Sequence, residues 1–510
     1  MPNEPFIHFD RNVRFVNWHR NVEARVERRY DVWNRWSDRS RPATRRWEPG
    51  LMALQRIVQQ AEADGKRVRA LGGGFSLSEA AVTPDYLVNT KPLNYVDIGL
   101  KPENVDPAFE GDRNCLVFTQ CGASILELNR ILERNGLALP TSGDSNGQTF
   151  CGAMSTGTHG SANMVGSIQD CVVGLHVVGE GGRVYWVEPA SRPVVSQRFC
   201  DLLGAELRRD DRLFYALVVS FGSFGLIHAA LFLTVPVYLL ERHVRRYSYA
   251  RVEPSLSTLD VSGLDLPDGA GLPFHYEAIV NPYAPRHEAG AYVRFMYQRP
   301  FSSAPVSVTS HPRVTMHPSD DLLGLIGAIG DRAPDLIPLA VEELLDGEFA
   351  GQDGDSGTPG QIFGSVATRG DVVSTEIGVP LAEGANAVDA ILDVANRHPF
   401  AGVVAIRFVR ASPALLAFTH HQPITCTIEL PAAASRRALE TYEGIWEELS
   451  RRSIPFTLHW GQILKTDPAH LRRGFGTRID EWLAARRGFL GPAGRRTFAN
   501  EVLARSHLAD

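Results

Sequence analysis

Residues 66–76, KRVRALGGGFS, run from a short strand-like stretch straight into three consecutive glycines. With no side chains in the way, the backbone amides of Gly72, Gly73 and Gly74 can close around an anion, because successive N–H groups form an anion-binding nest. The chain on either side has the texture of one α+β unit. Before the turn, residues 51–64 (LMALQRIVQQAEAD) place Leu51, Leu54, Ile57, Val58 and Ala61 on one helical face. After it come a strand-like run from Tyr86 to Asn89, a strand over 115–120 (CLVFTQ) and a helix over 123–135 (ASILELNRILERN) stopped at Gly136. Residues 140–160, PTSGDSNGQTFCGAMSTGTHG, fit neither period and form an ordered loop region rich in Gly, Ser and Thr. Strands over 171–178 and 183–187 are joined by the turn GEGG at 179–182. A helix near 200–217 then leads into FGSFGLIHAALFLTVPV at 221–237, a glycine-rich turn followed by a strand.

Beyond residue 238 the texture changes. Segments 245–252, 274–281, 291–297, 403–410 and 423–430 read as strands, 319–346 carries helical periodicity and 434–450 reads as a helix. Residues 347–360, EFAGQDGDSGTPGQ, are the clearest loop. The expected organisation is an Arg/Trp-rich arm over 1–49, a first domain over 50–238, a second over 239–440 and a closing segment over 441–510.

Composition narrows the class. Of 510 residues 44% are hydrophobic and 22% charged, which excludes a disordered chain, a collagen and a coiled coil. No run approaches the ~18 apolar residues of a membrane span, and the first residues lack the apolar core of a secretory signal, so a soluble cytoplasmic protein with no membrane partner is the expectation. The net charge of −6 argues against a general nucleic-acid binder. Lysine occurs only at Lys66, Lys91, Lys101 and Lys465, a bias of the kind a GC-rich bacterial genome produces. Eleven arginines and four tryptophans (Trp18, Trp33, Trp36, Trp47) fall in the first 47 residues. Such a segment can touch phosphates or RNA, but an arm packed on the body is the preferred reading. Cys115, Cys121, Cys151, Cys171, Cys200 and Cys426 form no C-x-x-C pair and no Cys/His set has zinc spacing, so no metal site is expected.

Two short motifs compete for the functional reading. No G-x-G-x-x-G opens a helix, which disfavours a Rossmann dinucleotide fold. Gly143-Asp144-Ser145-Asn146-Gly147 matches G-x-S-x-G, the nucleophile elbow of serine hydrolases, but the glycine-rich stretch after it is unsuited to the helix that motif requires. Ser155 to Gly160, STGTHG, offers hydroxyls and backbone amides to a ligand with many hydrogen-bonding edges; alone, His159 reads as a loop histidine bonded to backbone.

Taken in order, ALGGGFSLS, VNTKPLN, FTQCGASILELNRILERNGLALPTSGDSNGQTFCGAMSTGTHGS, DCVVGLHVVGEGGRV and FGSFGLI resemble the PCMH-type FAD-binding domain of the vanillyl-alcohol oxidase family, and most closely its aldonolactone and alditol oxidase branch. At the C-terminus LHWGQ (458–462) and TFANEVL (497–503) resemble that branch's HWGK and closing F-x-N motifs. The resemblance implies a two-part FAD-binding domain and a substrate or cap domain built on an antiparallel sheet with flanking helices. It implies that Gly72, Gly73, Gly74, Phe75 and Ser76 hold the FAD pyrophosphate. Ser142, Gly143, Asp144, Thr149, Gly152, Thr156, Gly157, Thr158, His159 and Gly160 would line the rest of the cofactor, with Leu226 and Ile227 near its adenine end.

Two departures from the branch matter. Members that attach flavin covalently through the first loop carry a histidine where this chain has Phe75, so non-covalent FAD is expected unless Cys151 substitutes. The HWGK lysine is Gln462 here, and a glutamate two residues before the branch's active-site arginine is Ala405. The remaining candidates are Arg407 to orient a substrate oxygen, Glu429 or His459 to accept a proton and Gln462 to hydrogen-bond the ligand. Equally, Arg407 and Glu429 can form an ion pair between neighbouring strands, and His459 beside Trp460 can be a core residue. The implied reaction is oxidation of a CH–OH group in a small molecule by hydride transfer to the flavin. The side-chain-free Gly143 at the flavin's oxygen gate favours O2 as acceptor, giving peroxide. A same-fold enzyme acting on a larger apolar substrate, a flavin binder without turnover and a hydrolase using Ser145 are the alternatives.

Overall fold

The computed structural model describes the chain except residues 1–5, 35–45, 268–270, 285–287, 303–326, 328–329, 349–352, 367–368 and 510. Trp36, residues 319–326 and 328–329 of the predicted helical stretch and 349–352 of the predicted loop lie outside the described residues.

The fold is α+β. The Arg/Trp-rich arm is a long hairpin: Phe6–Val16 pairs antiparallel with Glu23–Trp33, which runs parallel to Tyr86–Asn89, itself parallel to Val68–Leu71. The arm therefore extends the small sheet that carries the first glycine loop. A second sheet has the order Glu206–Arg209, Val184–Glu188, Val172–Val178, Leu226–Leu233, Leu116–Gln120, Val96–Ile98. Helix Glu48–Ala63 buries Leu51, Leu54, Ile57 and Val58, the face its periodicity predicts, in the core shared by both sheets. Helix Ile125–Arg134 is started by a capping box in which Ser124 and Glu127 bond each other's backbone. The single helix expected near 200–217 is two, Gln197–Leu203 and Asp211–Leu217, because Gly204 turns left-handed at φ 63° and strand Glu206–Arg209 intervenes.

Among the described residues a third sheet holds eight antiparallel strands, ordered Asp353–Gly357, Tyr238–Tyr247, Ala291–Pro300, His275–Val280, Val404–Arg410, Ile424–Ala433, Val372–Pro380, Thr457–Leu458. Two expectations are corrected here. The strand predicted at 245–252 begins earlier, at Tyr238, and gives way to a helical turn at Tyr249–Val252. Part of the predicted loop 347–360 adds an edge strand, Asp353–Gly357. Strand Val372–Pro380 and helix Gly384–Arg397 were not foreseen.

Alternation along these strands decides what each face does. Tyr276, Ala278, Ile406, Phe408, Ile428, Leu430 and Ile377 point to one side, where helices Gly384–Arg397 and Arg436–Arg451 cover them in a second apolar core. Their neighbours Glu277, Arg407, Glu429 and Glu376 necessarily point to the other side, toward the two smaller sheets. Helix Arg436–Arg451 spans the boundary expected at 440/441; its Tyr442, Ile445 and Leu449 belong to the second core, and the chain leaves that core only after Leu458.

Candidate active site

A cavity of about 390 Å³ lies between the glycine loops and the charged face of the large sheet. Its walls include Gly72, Gly73, Gly74, Phe75 and Ser76 from the first loop, and Ser142, Gly143, Asp144, Thr149, Gly152, Thr156, Thr158, His159 and Gly160 from the second. Ile227, Arg407, Glu429, His459 and Gln462 complete the predicted set that reaches it. Two predicted residues do not. Gly157 caps helix Phe150–Thr156 at φ 89° against Phe418, and Leu226 is buried in the first core.

The two glycine loops approach so closely that side chains are excluded. A Cβ at Gly72 would lie 2.2 Å from Thr149 Oγ1, and one at Gly73 2.9 Å from the Gly147 carbonyl oxygen. Thr149 itself caps helix Phe150–Thr156, its hydroxyl accepting from the Gly152 N–H at 3.3 Å. Buried polar atoms of residues lining this cavity, Gln148 Oε1, Arg69 Nε and His19 Nδ1, have no protein partner. A glycine-walled cleft with unmet hydrogen-bonding groups fits an extended, phosphate-bearing cofactor such as FAD.

The C-terminal motifs close this site from behind. Leu77 N–H donates to the Gly461 carbonyl at 2.7 Å and Ser78 Oγ to that of Trp460 at 2.6 Å. Arg69, fully buried, donates to the carbonyls of Phe498, Ala80 and Phe221, and Asn500 Nδ2 donates to Ala80 O at 2.9 Å. Motifs some 400 residues apart in sequence thus share one loop.

On the sheet face, Arg407 stands opposite Glu277, and Glu376 opposite Glu429. Arg407 Nε donates to Glu277 at 2.7 Å and its Nη1 to Glu429 at 2.6 Å, with Glu376 at 3.7 Å. The ion-pair reading of Arg407 and Glu429 and their presence in the cavity are therefore both true. Burial opposes the Arg407 charge, but Glu277, Glu429 and Glu376 outweigh it and hold the guanidinium firmly protonated. Gln462 Nε2 donates to Glu429 at 2.8 Å while its Oε1 is buried without a partner.

Facing this row, His159 donates from Nε2 to Glu376 at 2.8 Å and from Nδ1 to the Gly160 carbonyl at 2.8 Å. Both ring nitrogens meeting acceptors means an imidazolium. Burial works against that charge, yet Glu376 raises the His159 pKa above its ordinary value. Burial likewise disfavours the Glu376 carboxylate, but His159, with His459 and Arg407, holds its pKa down at about 2. His459 behaves oppositely: burial lowers its pKa to about 4, so at neutral pH it is uncharged. Its Nδ1 accepts from the Gly461 N–H at 2.9 Å, which puts the ring proton on Nε2.

Sequence reasoning missed Glu277, Glu376, Arg69 and His19. A usable signal existed for the first two: a lone glutamate within the apolar runs HYEAIV and VVSTEIGVP. The Ser145 alternative is overturned. Ser145 follows no strand end, and the next helix begins only at Phe150, so the strand–turn–helix elbow is absent. Cys151 lines the cavity as a buried thiol that burial holds well above its ordinary pKa, a poor nucleophile.

Comparison with known proteins agrees with this geometry. Residues 52–188 match the FAD binding domain family. The D-arabinono-1,4-lactone oxidase of Debaryomyces hansenii is 29% identical over 193 residues, 37% of this chain but only 31% of that protein, so the chain spans less than a third of that relative in the match. The L-gulono-1,4-lactone dehydrogenase of Mycobacterium tuberculosis is 26% identical over 464 residues, 89% of this chain and 93% of the relative. The crystal structure of cholesterol oxidase from B. sterolicum superposes with a TM-score of 0.69 over 99% of this chain and 98% of that one, at 16% identity. The likeness in fold therefore extends over nearly the whole of both chains.

Proposed function

We propose that the chain is an FAD-linked oxidase of the vanillyl-alcohol oxidase type that oxidises the CH–OH group of a small hydroxylated or lactone-like molecule with FAD held non-covalently, a reading supported by the match of residues 52–188 to the FAD binding domain family. The observation that carries this reading is the cavity in which glycine loops fit for a diphosphate cofactor face Arg407, Glu429, His459 and Gln462. Bound FAD supplies an acceptor for the hydride that leaves the substrate carbon.

The chain's residues supply the rest. Arg407, fixed by Glu277 and Glu429, presents a rigid guanidinium to the substrate oxygen and orients the carbon that is oxidised. Glu429 accepts the hydroxyl proton; it is the most exposed of the three glutamates, and Gln462 holds its other oxygen. His459 is a hydrogen-bond donor through Nε2, not the base its sequence position first suggested. His159 and Glu376, each neutralised by the other, shape the wall.

Charge in this cluster selects the substrate class. Glu277, Glu376, Glu429 and Asp144 carry four negative charges against three positive ones on Arg407, His159 and Arg294, the last reaching Glu277 at 3.2 Å and Asp144 at 3.5 Å. With Gln462 where the resembling branch has lysine, the excess is not cancelled. An uncharged polyol or lactone is therefore preferred over an acid. Phe75 and the protonated Cys151 support non-covalent attachment. Gly143, which adds no side chain to this wall of the cavity, supports access for O2.

An absorbance spectrum of the purified protein before and after acid precipitation tests the proposal. Flavin bands that move into the supernatant, followed by peroxide release on adding alcohols or lactones, are the expected result. Protein that takes up no FAD sinks it.

A further inference from the structure

The N-terminal hairpin lies outside residues 52–188, the part matched as the FAD-binding domain. Its tip nonetheless sits on the first glycine loop. Trp18 N–H donates to the Gly74 carbonyl at 2.8 Å, Asn17 Nδ2 to that of Ser76 at 2.9 Å and Asn21 Nδ2 to that of Leu77 at 2.7 Å. Three donors from the tip thereby fix the loop by its backbone. The Trp18 ring stacks on Phe75, centroids 4.8 Å apart and planes 23° from parallel, and the Arg369 guanidinium covers Trp18 at 5.8 Å.

His19, next along the tip, meets Phe75 edge-on at 6.1 Å and lines the cavity. Its Nδ1 is buried and finds no partner in the protein. A buried ring nitrogen without a partner is destabilising, so such a group is retained where a ligand or water satisfies it. The residues beside it in the cavity are those of the glycine loop, whose own amides suit the same ligand.

We propose that the hairpin tip, residues 17–21, is a wall of the cofactor site, with His19 in direct polar contact with bound FAD and Trp18 holding Phe75 and the glycine loop in place. The inference rests on the FAD reading above. It assigns the arm a role neither as a nucleic-acid contact nor as simple packing. The polar atom that meets His19 belongs to whichever part of FAD the glycine loop holds, a hydroxyl or a phosphate oxygen.

The test compares wild type with His19→Ala, His19→Gln and Trp18→Ala, reading flavin-to-protein ratio, FAD dissociation constant by flavin fluorescence and FAD release rate on dilution, beside the urea midpoint of flavin-free protein. His19→Ala should weaken FAD binding about tenfold, the scale of one buried hydrogen bond, with the flavin-free midpoint unchanged. His19→Gln, which keeps a donor and an acceptor, should recover most of the loss. Trp18→Ala should speed FAD release. Wild-type affinity and release rate in His19→Ala overturn the inference. So does a loss matched by destabilisation of the flavin-free protein and not rescued by glutamine. Wild type that binds no FAD at all instead overturns the cofactor reading, and the hairpin inference with it.

Discussion

Replacing Glu376 by glutamine separates charge from shape in the site. The side chain is 4% exposed and its Oε1 lies 2.8 Å from His159 Nε2, so the amide occupies the same space. A neutral His159 keeps its Nδ1–H on the Gly160 carbonyl and accepts from the new amide, leaving hydrogen bonding intact. What is lost is the ion pair. Holding Glu376 at about 2 rather than 4.5 corresponds to about 3 kcal/mol at about 1.4 kcal/mol per pH unit. The sign follows from both partners. Glu376, depressed, contributes its stability above pH 4.5 and loses it as pH falls toward about 2. His159, raised, contributes fully below its ordinary 6.5 and loses its part as pH rises through its higher folded pKa. The deficit of Glu376→Gln is therefore largest between pH 4.5 and 6.5. It shrinks in alkali, where the wild type keeps a buried carboxylate beside a neutral ring. Urea unfolding followed by tryptophan fluorescence at pH 5.5 and pH 9.5 measures this, Trp446 and Trp460 reporting on the large sheet and its return turn. A deficit below about 1 kcal/mol at pH 5.5, or one equal at both pH values, refutes the account of the pair.

Three further substitutions probe separate parts of the site. Arg407→Met takes a guanidinium from Glu429 and one of two from Glu277, which keeps Arg294 at 3.2 Å, and removes the group that orients substrate; turnover on any identified substrate should fall at least ~100-fold, and stability at pH 7 by about 3 kcal/mol. Gly73→Ala forces a Cβ to 2.9 Å from both Phe75 and the Gly147 carbonyl, so the purified protein should carry much less flavin, read as the ratio of absorbance at the flavin and protein bands. Arg69→Met leaves the carbonyls of Phe498, Ala80 and Phe221 without their donor. It should cost about 2–4 kcal/mol in urea and open the segment after residue 490 to limited proteolysis.

Local signals in the sequence were strong where structure is local. The helix Glu48–Ala63 follows from periodicity because it buries one face, and the strands Tyr86–Asn89, Leu116–Gln120 and Val172–Val178 follow from short, largely apolar runs because they are buried on both faces. Glycine loops were legible because only glycine tolerates Gly72 against Thr149 and Gly73 against Gly147. The hairpin was not read as strands, since Arg14, Arg25 and Arg28 alternate with too few apolar residues and one edge of the ribbon is exposed. Glu376 escaped notice for a different reason. Its meaning depends on His159, 217 residues away, and no spacing rule connects them. Arg407 and Glu429, by contrast, were found through motif resemblance, while their pairing with Glu277 emerged only from strand register.

The position of the charges shows why one sheet can serve as both scaffold and site. A strand alternates faces every residue, so the apolar residues that anchor His275–Val280, Val404–Arg410, Ile424–Ala433 and Val372–Pro380 to their helices fix the orientation of the residues between them. A slip of one residue in any of these strands would bury a charge in the second core and expose an apolar side chain to the cavity. Register is therefore enforced by the same hydrophobic burial that stabilises the domain, at about 1.5–3 kcal/mol for each large side chain. The positions of Glu277, Arg407, Glu429 and Glu376 inherit that rigidity without loop support. The glycine loops inherit theirs differently, from tethers that arrive from both chain ends: the hairpin tip at Asn17 to Asn21, and the turn and helices from His459 to Asn500. Truncation at either end would therefore disturb the cofactor cleft before it disturbed the charged sheet, although neither terminus belongs to the matched domain.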